Sequence, residues 1–190
     1  IIPTGNEQNN IVEAIQSVRF SDEIMVVDSF STDDTVKLAR PPVDTILHRE
    51  DGHSASHKNW AIPQAKHVWL LLLDADERVT SELQKEVIRM INSNTEYSGF
   101  WIRRENYFMG KKVRFSGWQG DKVIRLFKRD ECKYENKHVH AEIRSSGKIG
   151  ILDHKLLHNT FVSKEAYLKK LDRYAQLQAK DYDKRVKYLT

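Results

Sequence analysis

The run Val68-Trp69-Leu70-Leu71-Leu72-Leu73 meets Asp74 without a polar interruption. No other stretch of the chain limits the fold so strongly. A strand with one wet face alternates apolar and polar residues, and this run does not. It reads as a strand covered on both faces, near the centre of a sheet. It is far short of the roughly 20 residues that cross a bilayer. Its carboxyl end delivers Asp74-Ala75-Asp76-Glu77 to a sheet edge.

The neighbouring segments fit an alternating α/β order. Ile1-Ile2-Pro3-Thr4 reads as the end of a strand, and Asn9 to Arg19 carries Ile11, Ile15 and Val18 at helical spacing. Ile24 to Val27 predicts a buried strand ending at Asp28. Thr35 to Arg40 predicts a helix stopped by Pro41-Pro42, and Thr45 to Leu47 a third strand. Ser54 to Ala65 predicts a helix weakened by Pro63. Ser81 to Ile91 predicts an amphipathic helix opened by a Ser81–Gln84 capping box. Short links between such elements predict a mostly parallel, doubly wound sheet. Residues beyond 98 change character, with strands expected at Gly99–Arg103, Val123–Phe127 and Glu142–Arg144.

Charge is distributed unevenly. The chain of 190 residues carries a formal net charge of +4. Residues 163–190 hold eight basic and four acidic residues, so residues 1–162 are neutral. Ser163 opens a long helical pattern with Tyr167, Leu171, Tyr174, Tyr182 and Val186 on one side, lapsing at Gln178. The division expected is a domain over 1–162, with halves 1–98 and 99–162, and a basic amphipathic helix over 163–190. That helix suits an anionic membrane surface, packing on the domain, or a homodimer contact. The single Cys132 excludes an internal disulfide framework and fits a reducing compartment. No charged–apolar–small leader is read at the start. The expected location is the cytoplasm, peripheral at that membrane surface. A neutral body without a basic–aromatic stripe argues against nucleic acid.

The acids at strand ends carry the chemistry. Ligands of open α/β sheets bind at the carboxyl edge of the strands. Two carboxylates one residue apart suit Mg²⁺ or Mn²⁺, which also take phosphate oxygens and water. The alternative reading of Asp74 or Asp76 is a turn cap. Asp28 is placed to accept hydrogen bonds from a base or ribose, while Ser31 and Thr32 suit helix-start amides. Pro3, Asn6 and Glu7 form a third polar cluster after a strand.

Taken in order, Ile2-Pro3-Thr4-x-Asn6-Glu7, Val26-Val27-Asp28-Ser29-x-Ser31-Thr32-Asp33, Lys58-Asn59-Trp60-Ala61 and Leu73-Asp74-Ala75-Asp76-Glu77 resemble the family 2 glycosyltransferases of GT-A fold. The nearest likeness is to the bacterial lipopolysaccharide core β-glucosyltransferase type. It continues through Gly99-Phe100-x-Ile102-x-Arg104, Phe108-Met109-Gly110, Gly117-Trp118, Arg125-Leu126-Phe127, Val139-His140 and His158-x-Thr160-Phe161.

The resemblance implies inverting transfer from a nucleotide sugar, usually a UDP-sugar, to a glycan or glycolipid hydroxyl. It implies nucleotide and donor contacts from Pro3, Asn6, Glu7, Asp28, Ser31, Lys58, Asn59, Asp74, Gly117 and Trp118. It implies a Mg²⁺ or Mn²⁺ held by Asp76 with Asp74, and His158 as a further metal or phosphate ligand or else a core histidine. A two-histidine site with His154 is disfavoured, because Leu156-Leu157 between them reads as strand. For the general base it offers Glu142, with His140 as partner or alternative; a cross-strand polar pair is the structural alternative for both. Gly5 departs from the aromatic residue usual between Thr4 and Asn6. A sugar nucleotidyltransferase would want a Gly-rich phosphate loop that Gly5 alone does not supply. A non-catalytic nucleotide-sugar binding module is the other reading.

Overall fold

The computed structural model describes residues 1–50, 54–115, 117–135 and 141–161, and beyond them 163–165, 167–168, 171–172, 175–176 and 179. The first half follows the expected alternation. β1 (Ile2–Thr4), α1 (Ile11–Ser17), β2 (Met25–Asp28), α2 (Thr35–Ala39) and β3 (Thr45–His48) come first. They build a parallel sheet in the order β1-β2-β3. α3 (Ser54–Ala61) is shorter than its sequence pattern, because a 3₁₀ turn containing Pro63 takes over at Ile62–Gln64.

The apolar run supplies β4 (Trp69–Leu71). It continues the parallel sheet beside β1 through Ile1 N to Leu71 O and Leu73 N to Ile1 O, both 2.9 Å. Both faces are covered, as expected, from Trp69 to Leu73. Leu70 and Leu72 enter one core with Met25, Val27 and the α3 residues Ala55 and Ala61. Leu73 enters the other core with Val26, Ile11 and Ile15, and Trp69 and Leu71 pack against it. Only Val68 stays exposed.

β5 (Glu77–Val79) and α4 (Ser81–Asn92) follow. The helix cap lies one residue earlier than the sequence pattern suggests. Thr80 is extended and its hydroxyl accepts from Leu83 N at 3.2 Å.

The second half departs from the mostly parallel expectation. It comprises β6 (Tyr97–Phe108), β7 (Lys111–Lys112), β8 (Lys122–Lys128), β9 (Cys132–Tyr134), β10 (Ile143–Ser145) and β11 (Lys148–Phe161). A mixed sheet runs β4-β8-β6-β11-β5, with β7 on β6 and β9 paired to β10 separately. Only β6 and β11 pair in parallel there; β4–β8, β8–β6 and β11–β5 are antiparallel. The short links of this half leave no room for crossover helices, so neighbouring strands reverse direction. Beyond β11, Tyr167 N donates to Ser163 O at 3.1 Å, a helical bond. Most of the helix expected over 163–190 lies outside the described residues. No helix among the described residues is long and apolar enough to cross a membrane.

α4 is tied to β11 by a buried acid. The β6–β11 register shifts between Ile151 and Lys155, and this irregularity frees successive amides from the ladder. Asp153 N and His154 N each donate to a different Glu86 oxygen at 2.9 Å, and His154 Nδ1 lies 2.8 Å from one of them. Burial opposes the charge of Glu86, but those amide bonds and His154 outweigh it and hold the carboxyl below the ordinary glutamate range. Glu86→Gln keeps the volume and leaves one acceptor oxygen in place of two. It should cost about 1–3 kcal/mol in urea unfolding at neutral pH. A depressed folded-state pKa contributes stability above the unfolded value and loses it as pH falls through the folded one. The gap between wild type and variant should therefore shrink below about pH 4.3. A gap that stays constant on acidification would contradict this role for Glu86.

Candidate active site

A cleft of about 1200 Å³ opens where the carboxyl end of β1, the turn 74–76 and the ends of β6 and β11 converge. Of the residues singled out from sequence, Pro3, Asn6, Glu7, Lys58, Asp74, Asp76, Gly117, Trp118 and His158 line it. Asp28, Ser31, Asn59 and Glu142 are not among its lining residues, and His140 lies outside the described residues.

The loops after β1 and β2 are laced together. Asn6 adopts a left-handed backbone (φ 56°), which asparagine tolerates better than most residues. Its amide donates to Ser31 Oγ at 2.8 Å, and its side-chain oxygen accepts from Thr32 N at 2.8 Å. Glu7 N donates to Thr35 Oγ1 at 2.8 Å. Asp28 lies buried beneath, accepting from Ser31 N at 2.9 Å and from the Ser31 hydroxyl, with His48 Nδ1 at 3.3 Å. Ser31 thus joins two loops, and it is Asp33 that accepts from the Thr35 amide at the helix start, at 3.0 Å. Burial opposes the charge of Asp33, and the bonds from Thr35 and Gln8 hold its carboxyl below the usual range.

Lys58 and Asn59 part company. Lys58 Nζ reaches Asp74 Oδ1 at 2.8 Å in the cleft. Asn59 instead clamps β9: its amide nitrogen donates to Tyr134 O at 2.9 Å, and its oxygen accepts from Tyr134 N at 2.8 Å. Adjacent helical residues point about 100° apart, so both could not face the cleft.

Asp74 is held on both oxygens, by Lys58 on one and Arg125 on the other. Burial opposes its charge, and Arg125 and Lys58 outweigh burial, holding the carboxyl far below the usual range. Arg125 also meets Glu77 Oε1 at 2.8 Å. Glu77 Oε2 accepts from Asp74 N at 3.0 Å, closing the turn. Arg104 approaches Glu77 at 3.4 Å and forks onto Asp121, Nε to Oδ2 at 2.9 Å and Nη2 to Oδ1 at 2.8 Å. Asn106 donates to Asp121 Oδ2 at 3.1 Å. Its oxygen meets His158 Nδ1 at 2.7 Å, and His158 Nε2 lies 3.4 Å from Asp76 Oδ2. His154 sits on Glu86, so the two histidines serve separate partners. Among the described residues no group of three or more His, Cys, Asp or Glu gathers as a metal cage.

Sequence reasoning missed Arg104, Asn106, Asp121, Arg125 and His57 as site residues. Arg104 and Arg125 stood in quoted runs without a role. A charged residue inside an apolar strand run, as in Val123-Ile124-Arg125-Leu126-Phe127, is itself a signal of a buried partner. Glu142 is exposed, its carbonyl accepting from Glu135 N at 2.9 Å just before β10.

Comparison with known proteins bears on the fold and the family. The chain is 29% identical over 201 residues to an uncharacterized glycosyltransferase of Rickettsia prowazekii, covering all of this chain and 69% of that protein. It is 26% identical over 181 residues to the lipopolysaccharide core biosynthesis glycosyltransferase LpsC of Rhizobium meliloti, covering 92% of this chain and 67% of LpsC. The fold matches S. aureus TarS, solved in complex with UDP-GlcNAc, at TM-score 0.58 and 17% identity, over 87% of this chain and 59% of that one. The chain thus spans less than two thirds of the TarS structure. The family profile described as Glycosyl transferase family 2 matches residues 1–152. The chain belongs to glycosyl transferase family 2 and is a glycosyltransferase.

Proposed function

We propose that the cleft transfers a sugar from a UDP-sugar to a hydroxyl of a glycan or glycolipid, such as a lipopolysaccharide core, with inversion at the anomeric carbon. The observation that carries this reading is Asp76 facing His158 Nε2 at 3.4 Å, in the cleft that also holds Lys58 and Asp74. The UDP-GlcNAc complex of TarS and the name of LpsC support the donor and acceptor classes.

The laced loop of Pro3, Asn6 and Glu7 receives the nucleoside. Asp28 acts there as a positioning residue, through Ser31 and His48. Asp74, gripped by Lys58 and Arg125, orients the donor's ribose or sugar, and Gly117 and Trp118 form the facing wall. Asp76 and His158 fit a hard divalent cation. A carboxylate and an imidazole leave most positions for phosphate and water oxygens, which is how Mg²⁺ and Mn²⁺ are commonly held. Such an ion, Mg²⁺ or Mn²⁺, supplies charge neutralisation for the departing diphosphate.

In the transfer, the acceptor oxygen bonds to the anomeric carbon as the bond to the diphosphate oxygen breaks. The hydroxyl proton goes to a carboxylate. We assign that role to Asp121, a cleft carboxylate whose two oxygens are fixed by Arg104 and Asn106. Burial opposes its charge; the Arg104 bond and charge outweigh it and hold the carboxyl below the usual range, so it is ionised at neutral pH. Glu142 with His140 is the assignment that the family resemblance offers.

Two measurements test this reading. Asp76→Ala should abolish the Mn²⁺-dependent part of UDP binding in calorimetry while circular dichroism stays unchanged. Unaltered metal-dependent affinity in the folded variant would remove Asp76 from the metal site. Asp121→Asn should lower turnover by roughly 10²–10⁴-fold with UDP binding retained, and Glu142→Gln should be nearly silent. The reverse pattern would hand the proton to Glu142.

A further inference from the structure

The neutrality of residues 1–162 conceals a local excess of positive charge. Residues 103–122 hold six basic residues, Arg103, Arg104, Lys111, Lys112, Arg114 and Lys122, against two acids, Glu105 and Asp121. Both acids are already engaged, Glu105 by Lys112 and Tyr107 and Asp121 by Arg104. The same segment turns through β7 and presents large apolar side chains to water. Phe115 is 94% exposed and Met109 49%.

The segment is continuous with the cleft. At one end Asn106 and Trp118 line the cleft, and Val113 N ties the strand back to Asn106 O at 2.9 Å. At the other, Phe108 packs edge-on against Phe161 and Tyr167, with centroids 5.7 and 5.4 Å away. Tyr167 and Leu171 also line the cleft, and Leu168 and Leu171 remain 52% and 46% exposed. This rim therefore combines protruding apolar side chains with a segment that holds more basic than acidic residues.

We propose that this rim, the β6–β7 hairpin through Trp118 with the first helical residues after Phe161, docks on an anionic lipid bilayer. Apolar tips that enter the headgroup boundary, flanked by Lys and Arg that meet anionic headgroups, are the chemistry of an interfacial site. A soluble saccharide stacks on an aromatic ring such as Phe115 but gives the aliphatic Met109, Leu168 and Leu171 no apolar partner, and a second positively charged rim would repel this one. The docking rests on the glycosyl-transfer reading only for its consequence, that the cleft mouth faces a lipid-linked acceptor. It differs from adhesion by the basic residues of 163–190, because its cations lie in residues 103–122 of the domain and the residues after Phe161 add only apolar contacts.

Cys132 is the chain's one cysteine and is buried, so Phe115→Cys offers a single exposed thiol for an environment-sensitive fluorophore. With phosphatidylcholine vesicles containing phosphatidylglycerol, the label should shift to the blue at low salt and revert at high salt. Vesicles of phosphatidylcholine alone should leave it unmoved. Met109→Ser with Phe115→Ser should reduce co-sedimentation at least ten-fold, and Lys111→Ala, which spares the apolar tips, about five-fold. Variants that pellet like wild type would overturn the proposal and assign adhesion to residues 163–190. A label that never shifts, or shifts equally on neutral vesicles, would also overturn it. So would a shift that grows with protein concentration in the absence of lipid, which would identify a second copy as the occupant. UDP binding measured in parallel with Mn²⁺ should match wild type in every variant. Its absence from the wild type would remove the glycosyl-transfer reading and leave the vesicle result standing.

Discussion

Arg125 and Glu77 are almost wholly buried, and neither could stay so alone. Burying an isolated charge is prohibitive, and removing one member of such a pair typically costs about 3–5 kcal/mol. Their contact at 2.8 Å joins β8 to β5, strands that meet only through the intervening sheet. The functional consequence is local. The oxygen of Glu77 not facing Arg125 accepts from Asp74 N, so the turn carrying Asp74 and Asp76 closes on the acid that anchors the arginine. Nη1 of that arginine donates to the Tyr134 hydroxyl, and Nη2, which meets Glu77, reaches on to Asp74. The acids of the cleft are held in place by an ion pair behind them, rather than by their own backbone alone.

The side of the cleft built by the loops after β1 and β2 depends on a different device. Five backbone amides donate to side chains across the gap between the loop after β1 and the loop after β2, in both directions: Asn6, Glu7 and Gln8 outward, and Thr32 and Asp34 back. Such reciprocal pairing satisfies amides that a loop at a sheet edge would otherwise leave to water. It turns two short loops into one rigid wall. The polar residues that look like ligand contacts in the sequence are in good part spent on each other.

The sequence made the first half legible because hydrophobic pattern determines it. A continuous apolar run at Trp69–Leu73 and short links between helices and strands leave few alternatives to a covered parallel sheet. The second half was less legible because its long strands contain polar residues. Asn106 and His158 interrupt the apolar pattern of β6 and β11 for the sake of the cleft, so each strand reads shorter than it is. Asn59 was misplaced because a linear motif does not say which way a helix is turned. Asp121 escaped notice because it stands alone in the sequence, without a neighbouring acid. Its partners Arg104 and Asn106 lie on β6 and only pairing of β6 with β8 brings them together.

The two ends of the cleft are joined by a chain of hydrogen bonds whose polarity follows from charge. Asp121 is ionised and can only accept, so Asn106 must turn its NH₂ toward it. The Asn106 oxygen then faces His158, and Nδ1 must carry the proton that it accepts at 2.7 Å. In the neutral ring this leaves the lone pair on Nε2, directed toward Asp76. The same cleft is lined by four carboxylates, Glu7, Asp74, Asp76 and Asp121, against Lys58 and Arg104 among the described residues. A diphosphate entering it meets an excess of its own sign. Arg125 does not redress the balance, because Glu77 matches it. The added positive charge is needed where the network presents a carboxylate and an imidazole lone pair together. On the proposed reading, the hydrogen-bond polarity set by Asp121 prepares, at the far end of the chain, a position where a cation would offset that excess.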